Sequence, residues 1–407
     1  MTDATSAATA PDALASVLAD APFVRLVATD DGDALAATGV LARALRATGT
    51  PFQARVASDP THDAVGDEVA VTVGSGRGPH AIPGSERPAS TTAFAVARSL
   101  GVDPEPVVAL AGVVAAGSVP GTDGSGDALD AAKRDDRVAR RPGVGLPVAD
   151  GPGTGDEGGV TRAESLAAST LVSTRYSGDP AAAAQALAPL ELPADPDADD
   201  HRRLASLVAV DAVDDASERA AAAVERALRP YATDGPFETV GGYADVLDVL
   251  AREAPGTGIA LALAADPDGD LRAAALDAWR RHGLAAHRAV DAATVGRYDG
   301  CVVARVDESP TDASSVLPTV ARLVRDFRSR EPVAVAVDEA AGRLAAASVE
   351  PVGLGEACRT AAAAVDGDGW GTGARGGLAV PDERTDAGAS AGESDLTTAL
   401  AALREAV

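Results

Sequence analysis

Residues 23–28, Phe-Val-Arg-Leu-Val-Ala, form a short Val- and Leu-rich run that stops at Thr29-Asp30-Asp31-Gly32-Asp33, and this abrupt change constrains the fold more than any other feature of the chain. Directly after it, 34–48 carries Leu35, Val40, Leu41 and Leu45 at helical spacing, and Thr48-Gly49 with Pro51 ends that helix. Apolar runs at 51–57 and 69–73 read as further strands, the second closing in Gly74-Ser75-Gly76-Arg77-Gly78-Pro79, and 90–100 and 106–114 as helices. A strand followed by a helix and another strand is the connection of a parallel sheet, whose chemistry lies in the loops at the carboxyl ends of the strands.

Beyond Pro120 the chain becomes rich in Gly, Asp and Pro as far as Val160, with a short helix predicted over 127–141 that carries Lys133, Arg134, Arg137, Arg140 and Arg141. From 161 to about 230 the pattern is helical. A second α/β unit starts near Phe237: helices over 243–253, 268–282, 317–330 and 354–365, strands over 257–264, 299–306, 332–337, 343–349 and 378–380, and a terminal helix from about Asp395. The fold class expected is therefore α/β in three parts. A mostly parallel sheet domain occupies 1–120, a linker and helical connector 121–235, and a smaller C-terminal α/β domain 236–407.

Composition sets the environment. The chain carries 61 acidic against 35 basic residues, a formal charge of −26, and Lys133 is its only lysine. An acidic disordered chain would lack the periodic Val and Leu segments seen throughout. In molar salt the Debye length falls to about 3 Å, so a carboxylate-rich surface is screened; the composition is that of an extreme halophile. Negative charge then excludes nucleic-acid partners only weakly, because counterion release contributes little in such a cytoplasm and arginine forks and backbone amides must hold a phosphate instead. Cys301 and Cys358 are too few and too distant in sequence for a zinc site or a disulfide framework, and read as small core residues. Residues 1–11 lack a basic or apolar leader, and no stretch of 18 residues is uniformly apolar, so a cytoplasmic protein with no membrane partner is expected.

Two constellations carry chemistry. Asp30, Asp31 and Asp33 lie at a strand tip, where carboxylates beside a glycine suit Mn²⁺ or Mg²⁺; the same carboxylates equally suit the positive start of the next helix. The second is the Gly-rich turn 366–377. There Gly371, Gly373, Gly376 and Gly377 could present amides to a phosphate, Arg375 could clamp it, and Trp370 could stack on a base; a plain glycine hairpin is the other reading. Arg322, Arg325, Arg328 and Arg330 form a row that suits a solvated, ion-paired face better than a nucleic-acid contact. His62 and His80 are the imidazoles near the first strands, and each reads as a solvated loop residue.

Residues 24–56, 108–120 and 367–377 together resemble RecJ-like proteins of the DHH phosphoesterase superfamily. In that family the first strand ends in His-x-Asp-x-Asp-Gly; here Val27 and Thr29 stand at the His and first Asp, leaving Asp31 and Gly32. The Asp-His-His motif would fall in 71–79, which reads Val-Thr-Val-Gly-Ser-Gly-Arg-Gly-Pro, and the Asp expected before Pro120 is replaced by Ala115, Ala116 or Gly117. The family's Ser-x-Arg ahead of the Gly loop appears as Ser348-Val349-Glu350. The resemblance implies a DHH domain, a helical connector and a DHH-associated substrate-binding domain in which Arg375 with Gly373, Gly376 and Gly377 holds a single strand. Its missing ligands imply a scaffold or strand-binding subunit of DNA replication or repair, with GINS and MCM proteins as partners. The alternatives are a Mn²⁺- or Mg²⁺-dependent single-strand exonuclease working through Asp30, Asp31 and Asp33, and a phosphoesterase for dinucleotides.

Overall fold

The computed structural model describes residues 10–60, 66–148, 160–213, 217–264, 266–306, 315–381 and 390–406. Two compact units emerge: Met1–Leu171, Asp179–Ala209 and Glu225–Arg281 in the first, and Val172–Gly178, Val210–Val224 and His282–Val407 in the second.

The first unit opens with α1 (Pro11–Asp20), β1 (Val24–Ala28), α2 (Gly32–Thr48), β2 (Phe52–Val56), β3 (Val69–Gly74), β4 (Ala81–Pro83), α3 (Ala89–Ser99) and α4 (Pro106–Ala115). Its sheet is wholly parallel in the order β2-β1-β3-β4, with Val24 opposite both Phe52 and Val69. The helix α2 ends as its sequence dictates: Gly49 takes φ 77°, and the N–H of Thr50 reaches back 2.9 Å to the Leu45 carbonyl. All its residues from Gly32 to Ala42 are buried, because α3, α4 and later helices wrap it.

Next come α5 (Gly126–Arg134), β5 (Val138–Arg140), α6 (Arg162–Ala168), α7 (Pro180–Leu187), α8 (Ala198–Val213), α9 (Glu218–Ala227), β6 (Tyr231–Thr233), α10 (Val240–Glu253), α11 (Pro255–Leu263) and α12 (Gly269–Ala292). Only the first part of the helix predicted over 127–141 forms. Asp136 adopts φ 52°, the Arg137 N–H closes on the Ala132 carbonyl at 2.8 Å, and the chain leaves as β5 to pair antiparallel with β6. The strand predicted over 257–264 is also corrected, to the helix α11. Pro255 occupies its first turn, and Gly258 and Ala262 bring it against α2, where a Cβ on Gly39 would lie 2.5 Å from that of Ala262. Periodicity cannot separate so short an apolar run from a strand. With α10 on α2 and α4, and α11 on α2, the stretch 236–281 falls within the first unit. One buried carboxylate ties the connector together. Asp245 of α10 accepts from Ser169 Oγ (3.1 Å), Thr170 N–H (3.0 Å), Thr170 Oγ1 (2.5 Å) and Trp279 Nε1 (3.0 Å).

The second unit contains β7 (Thr294–Tyr298), β8 (Cys301–Arg305), α13 (Leu317–Leu323), β9 (Val333–Asp338), β10 (Arg343–Ser348), α14 (Leu354–Ala363), β11 (Asp368–Gly371), β12 (Arg375–Ala379) and α15 (Ser390–Ala406). Its mixed sheet runs β11-β12-β10-β9-β8-β7, with β8 and β9 the parallel pair. Alternate residues feed two cores. Val303, Val335, Val337, Leu344 and Leu378 meet Leu354, Cys358, Leu396 and Leu403 on one face, while Val302, Ala304, Ala334 and Ala336 meet Val320 and Val324 on the other. Burial pushes the Cys301 thiol up to about 11 and the Cys358 thiol to about 12, as inert core residues require. The helix predicted over 317–330 breaks into a π turn at Val324–Arg328, whose carbonyl end Arg219 clamps by donating to the carbonyls of Arg325 (2.7 Å) and Glu331 (2.9 Å). In the arginine row, Arg325 pairs with Asp326 and Arg328 with Asp291, so those two guanidiniums are engaged within the protein.

Candidate functional site

At the carboxyl end of β1 the chain turns through Thr29 to Asp33, and each predicted carboxylate has a local partner. Asp31 is the N-cap of α2: the Ala34 N–H donates to its Oδ1 at 3.0 Å and the Thr29 hydroxyl to its Oδ2 at 2.6 Å. Asp33 is 4% exposed and caps a different helix, α3, accepting from the N–H groups of Ala89 (2.5 Å, Oδ2) and Ser90 (3.0 Å, Oδ1). Burial, and secondarily the charge of Asp31, pushes the Asp33 carboxyl up to about 7, although the two amides favour its charged form. Asp30 is half-buried and accepts from Ser58 Oγ at 2.8 Å.

Two residues that sequence reasoning passed over complete this end of the sheet. Asp248, on α10, accepts from the Gly32 N–H at 3.0 Å, and a Cβ at Gly32 would lie 2.8 Å from the Asp248 backbone nitrogen and 2.9 Å from Ala115 Cβ. Ala115, at the end of α4, thus also reaches the turn. Arg252, one turn further along α10, donates to Asp248 Oδ2 (3.0 Å) and Oδ1 (3.1 Å), with the two side chains 8% and 10% exposed. Burial opposes its charge, but Asp248 and then Asp30 and Asp31 outweigh it and hold the guanidinium above its usual range. At the rim Arg77 pairs with Asp59 at 3.2 Å. An Asp–Arg pair four apart is an ordinary surface motif; nothing local marks its link to Gly32.

These residues do not fit a pair of divalent ions. A two-metal site needs several free carboxylate or imidazole ligands converging on one point, whereas Asp31 and Asp33 face different helix starts and Asp248 faces an arginine. Among the described residues no group of three His, Cys, Asp or Glu is arranged to hold a metal. His80 is half-buried, and its carbonyl accepts from the Thr72 N–H; His62 lies outside the described residues.

The Gly-rich turn is the hairpin β11–β12, and its glycines allow α14 to approach. The amides of Gly353 and Leu354 donate to the Gly373 carbonyl (2.9 and 3.0 Å), and the Gly355 amide to that of Thr372 (2.7 Å). The turn therefore presents carbonyls to the start of a helix, which differs from the amide cradle predicted for an anion. A Cβ on Gly376 would lie 2.6 Å from Cys358 Sγ, and one on Gly377 2.9 Å from the Trp370 ring, which lies across β12. Gly371 takes φ 131°, and the Thr372 N–H closes the turn on the Arg375 carbonyl at 2.8 Å. Trp370 and Arg375 are both half-buried, at opposite ends of the hairpin turn.

A four-stranded parallel sheet with its acidic strand-end turn, followed in the chain by a separate mixed sheet, is a fold shared with a solved structure. The chain is similar to CDC45 from Entamoeba histolytica, at 9% identity over 97% of both chains with a TM-score of 0.60. It is also similar to exonuclease RecJ bound to manganese, at 13% identity over 99% of this chain and 96% of that one, with a TM-score of 0.48. The C-terminal residues 293–405 match the family model described as "Uncharacterized protein rrnAC1427, C-terminal domain". Over 373 residues, 90% of this chain and 92% of the relative, the sequence is 47% identical to rrnAC1427 of Haloarcula marismortui. The chain belongs to the rrnAC1427 family. A haloarchaeal relative is in keeping with the acidic, lysine-poor composition. Among the described residues no helix is long and apolar enough to cross a membrane.

Proposed function

We propose that this is a non-hydrolytic DHH-superfamily protein of DNA replication or repair, acting in the cytoplasm as a scaffold that binds single strands. The observation that supports the non-hydrolytic part is the use of Asp31 and Asp33 as caps of two different helices, with no group of three His, Cys, Asp or Glu arranged for a metal among the described residues. The replication role is supported by the likeness of fold to CDC45, and GINS- and MCM-type proteins are the partners this reading proposes. Strand contact is assigned to the hairpin, with Arg375 as the cation and Trp370 as the stacking ring.

The test is a pair of assays on the full chain in molar KCl. A labelled single-stranded oligonucleotide should be retained and should stay uncut when Mn²⁺ or Mg²⁺ is added. Arg375→Ala should weaken retention by roughly tenfold to a hundredfold, since charged hydrogen bonds contribute about 1.5–3 kcal/mol each. Metal-dependent cleavage abolished by Asp31→Ala would establish the exonuclease instead. Retention unaffected by Arg375→Ala would remove the hairpin from the binding surface.

A further inference from the structure

We propose that Arg252 is the resident cation of the strand-end site, holding Asp248 against the β1–α2 turn and supplying to the Asp30–Asp31 end of the sheet the positive charge that would otherwise come from bound ions. Three observations converge on it. Asp248 is joined to the turn by the Gly32 N–H, over a backbone approach so close that no side chain fits at Gly32. Arg252 engages both oxygens of Asp248 through two different nitrogens and also donates to the Asp248 carbonyl at 2.7 Å, a fixed geometry that a flexible surface pair does not have. Its side chain is 8% exposed, so its charge acts through protein rather than water, and the carboxylates that favour that charge after Asp248 are Asp30 and Asp31.

The physical need is plain. Asp30, Asp31 and Asp248 gather at one sheet end, and carboxylates brought together out of water destabilise the fold unless a cation sits among them. In this chain the cation is covalently attached, on α10, and cannot be removed by a chelator. The site is thereby made permanent and independent of metal, and α10 is locked to the turn whose glycine it covers. This inference rests on the non-hydrolytic reading of the strand ends but is independent of strand binding.

Thermal melting of the full chain in molar KCl, with and without millimolar MnCl₂, tests it without any nucleic acid. The unaltered protein should melt at the same temperature in both. Arg252→Gln should melt lower, by roughly 5 °C or more, and Mn²⁺ should recover at least half of that loss by occupying the exposed carboxylates. Adding Asp248→Asn to Arg252→Gln should abolish the recovery. If Arg252→Gln does not fold, Arg252→Lys decides the matter: it keeps the charge and should fold, melt between the two and ignore Mn²⁺. Arg252→Gln melting like the unaltered chain, or a loss that Mn²⁺ leaves unchanged, would overturn the proposal, as would Arg252→Lys failing to fold. A Mn²⁺-dependent rise in the unaltered chain that Asp31→Asn removes would overturn the non-hydrolytic reading as well, whereas loss of oligonucleotide retention alone bears only on strand binding.

Discussion

Asp33 is a carboxyl kept from water at the start of α3, and its position gives the protein a pH response opposite to that of most acidic groups. Its carboxyl is pushed up from 3.8 to about 7, by burial and then by Asp31. In the unfolded chain the group loses its proton near its ordinary value, so between about pH 4 and pH 7 the native state binds more protons than the unfolded state. Stability from this group is therefore fully present below about pH 4 and falls as the pH rises through 7, by up to about 1.4 kcal/mol per pH unit. Asp33→Asn keeps the shape and removes the titration. Denaturant unfolding in molar KCl at pH 5 and pH 8 should show a smaller fall for the variant than for the unaltered chain. Equal falls would mean that Asp33 is ionised throughout, held so by the Ala89 and Ser90 amides.

At the scale of elements, the hairpin β11–β12 and the helix α14 form one tightly fitted piece. The start of α14 is capped by carbonyls of the hairpin turn, and β12 passes so close beneath it that Gly376 has no room for a side chain: Cys358 Sγ would lie at 2.6 Å and the Leu354 carbonyl oxygen at 2.9 Å. Gly376→Val should accordingly cost about 1–3 kcal/mol by overpacking, read as a lower denaturation midpoint in molar KCl. Arg375→Ala, one residue earlier on the same strand, should cost clearly less. A Gly376→Val midpoint equal to the original would mean that α14 can lift from the sheet at little cost, and that the glycines serve something other than this contact. Trp370 belongs to the same piece, because its ring covers Gly377 on the neighbouring strand, as aromatic residues do for glycines in sheets.

For the whole molecule the governing quantity is the formal charge of −26 spread over 407 residues. Among the described residues, exposed ion pairs such as Arg77–Asp59 and Arg98–Asp127 contribute about 0–1 kcal/mol each. They do not offset the excess of carboxylates, whose mutual repulsion is removed only by screening. The Debye length rises from about 3 Å in molar salt to about 10 Å at 0.1 M, so the melting temperature should fall steadily as KCl is diluted over that range, and the chain should unfold at the low end. A circular-dichroism melt that does not change across the dilution would contradict a salt-adapted surface.

The sequence by itself determined whatever depends on neighbours along the chain. The β1–α2–β2 order, the cap at Asp31 and the stop at Gly49 are set by residues a few positions apart, and so were legible, as was the α/β character of the C-terminal sheet with its alternating Val and Ala. Even there, a short apolar run misled, since 257–264 is a helix because α2 packs on it, whereas the Gly-rich stretch takes its hairpin reading, each strand supplying the other's hydrogen bonds. Only the tertiary structure set the partners of the acidic turn. That Asp33 caps α3 depends on a helix 56 residues away, and Asp248 and Arg252 gained meaning only when the fold brought α10 across 216 residues to the Gly32 amide. The physical reason is that helix and strand periodicity, caps and turns are short-range interactions written in local order, whereas the partner that satisfies a buried charge is chosen by packing between distant segments, which periodicity does not encode.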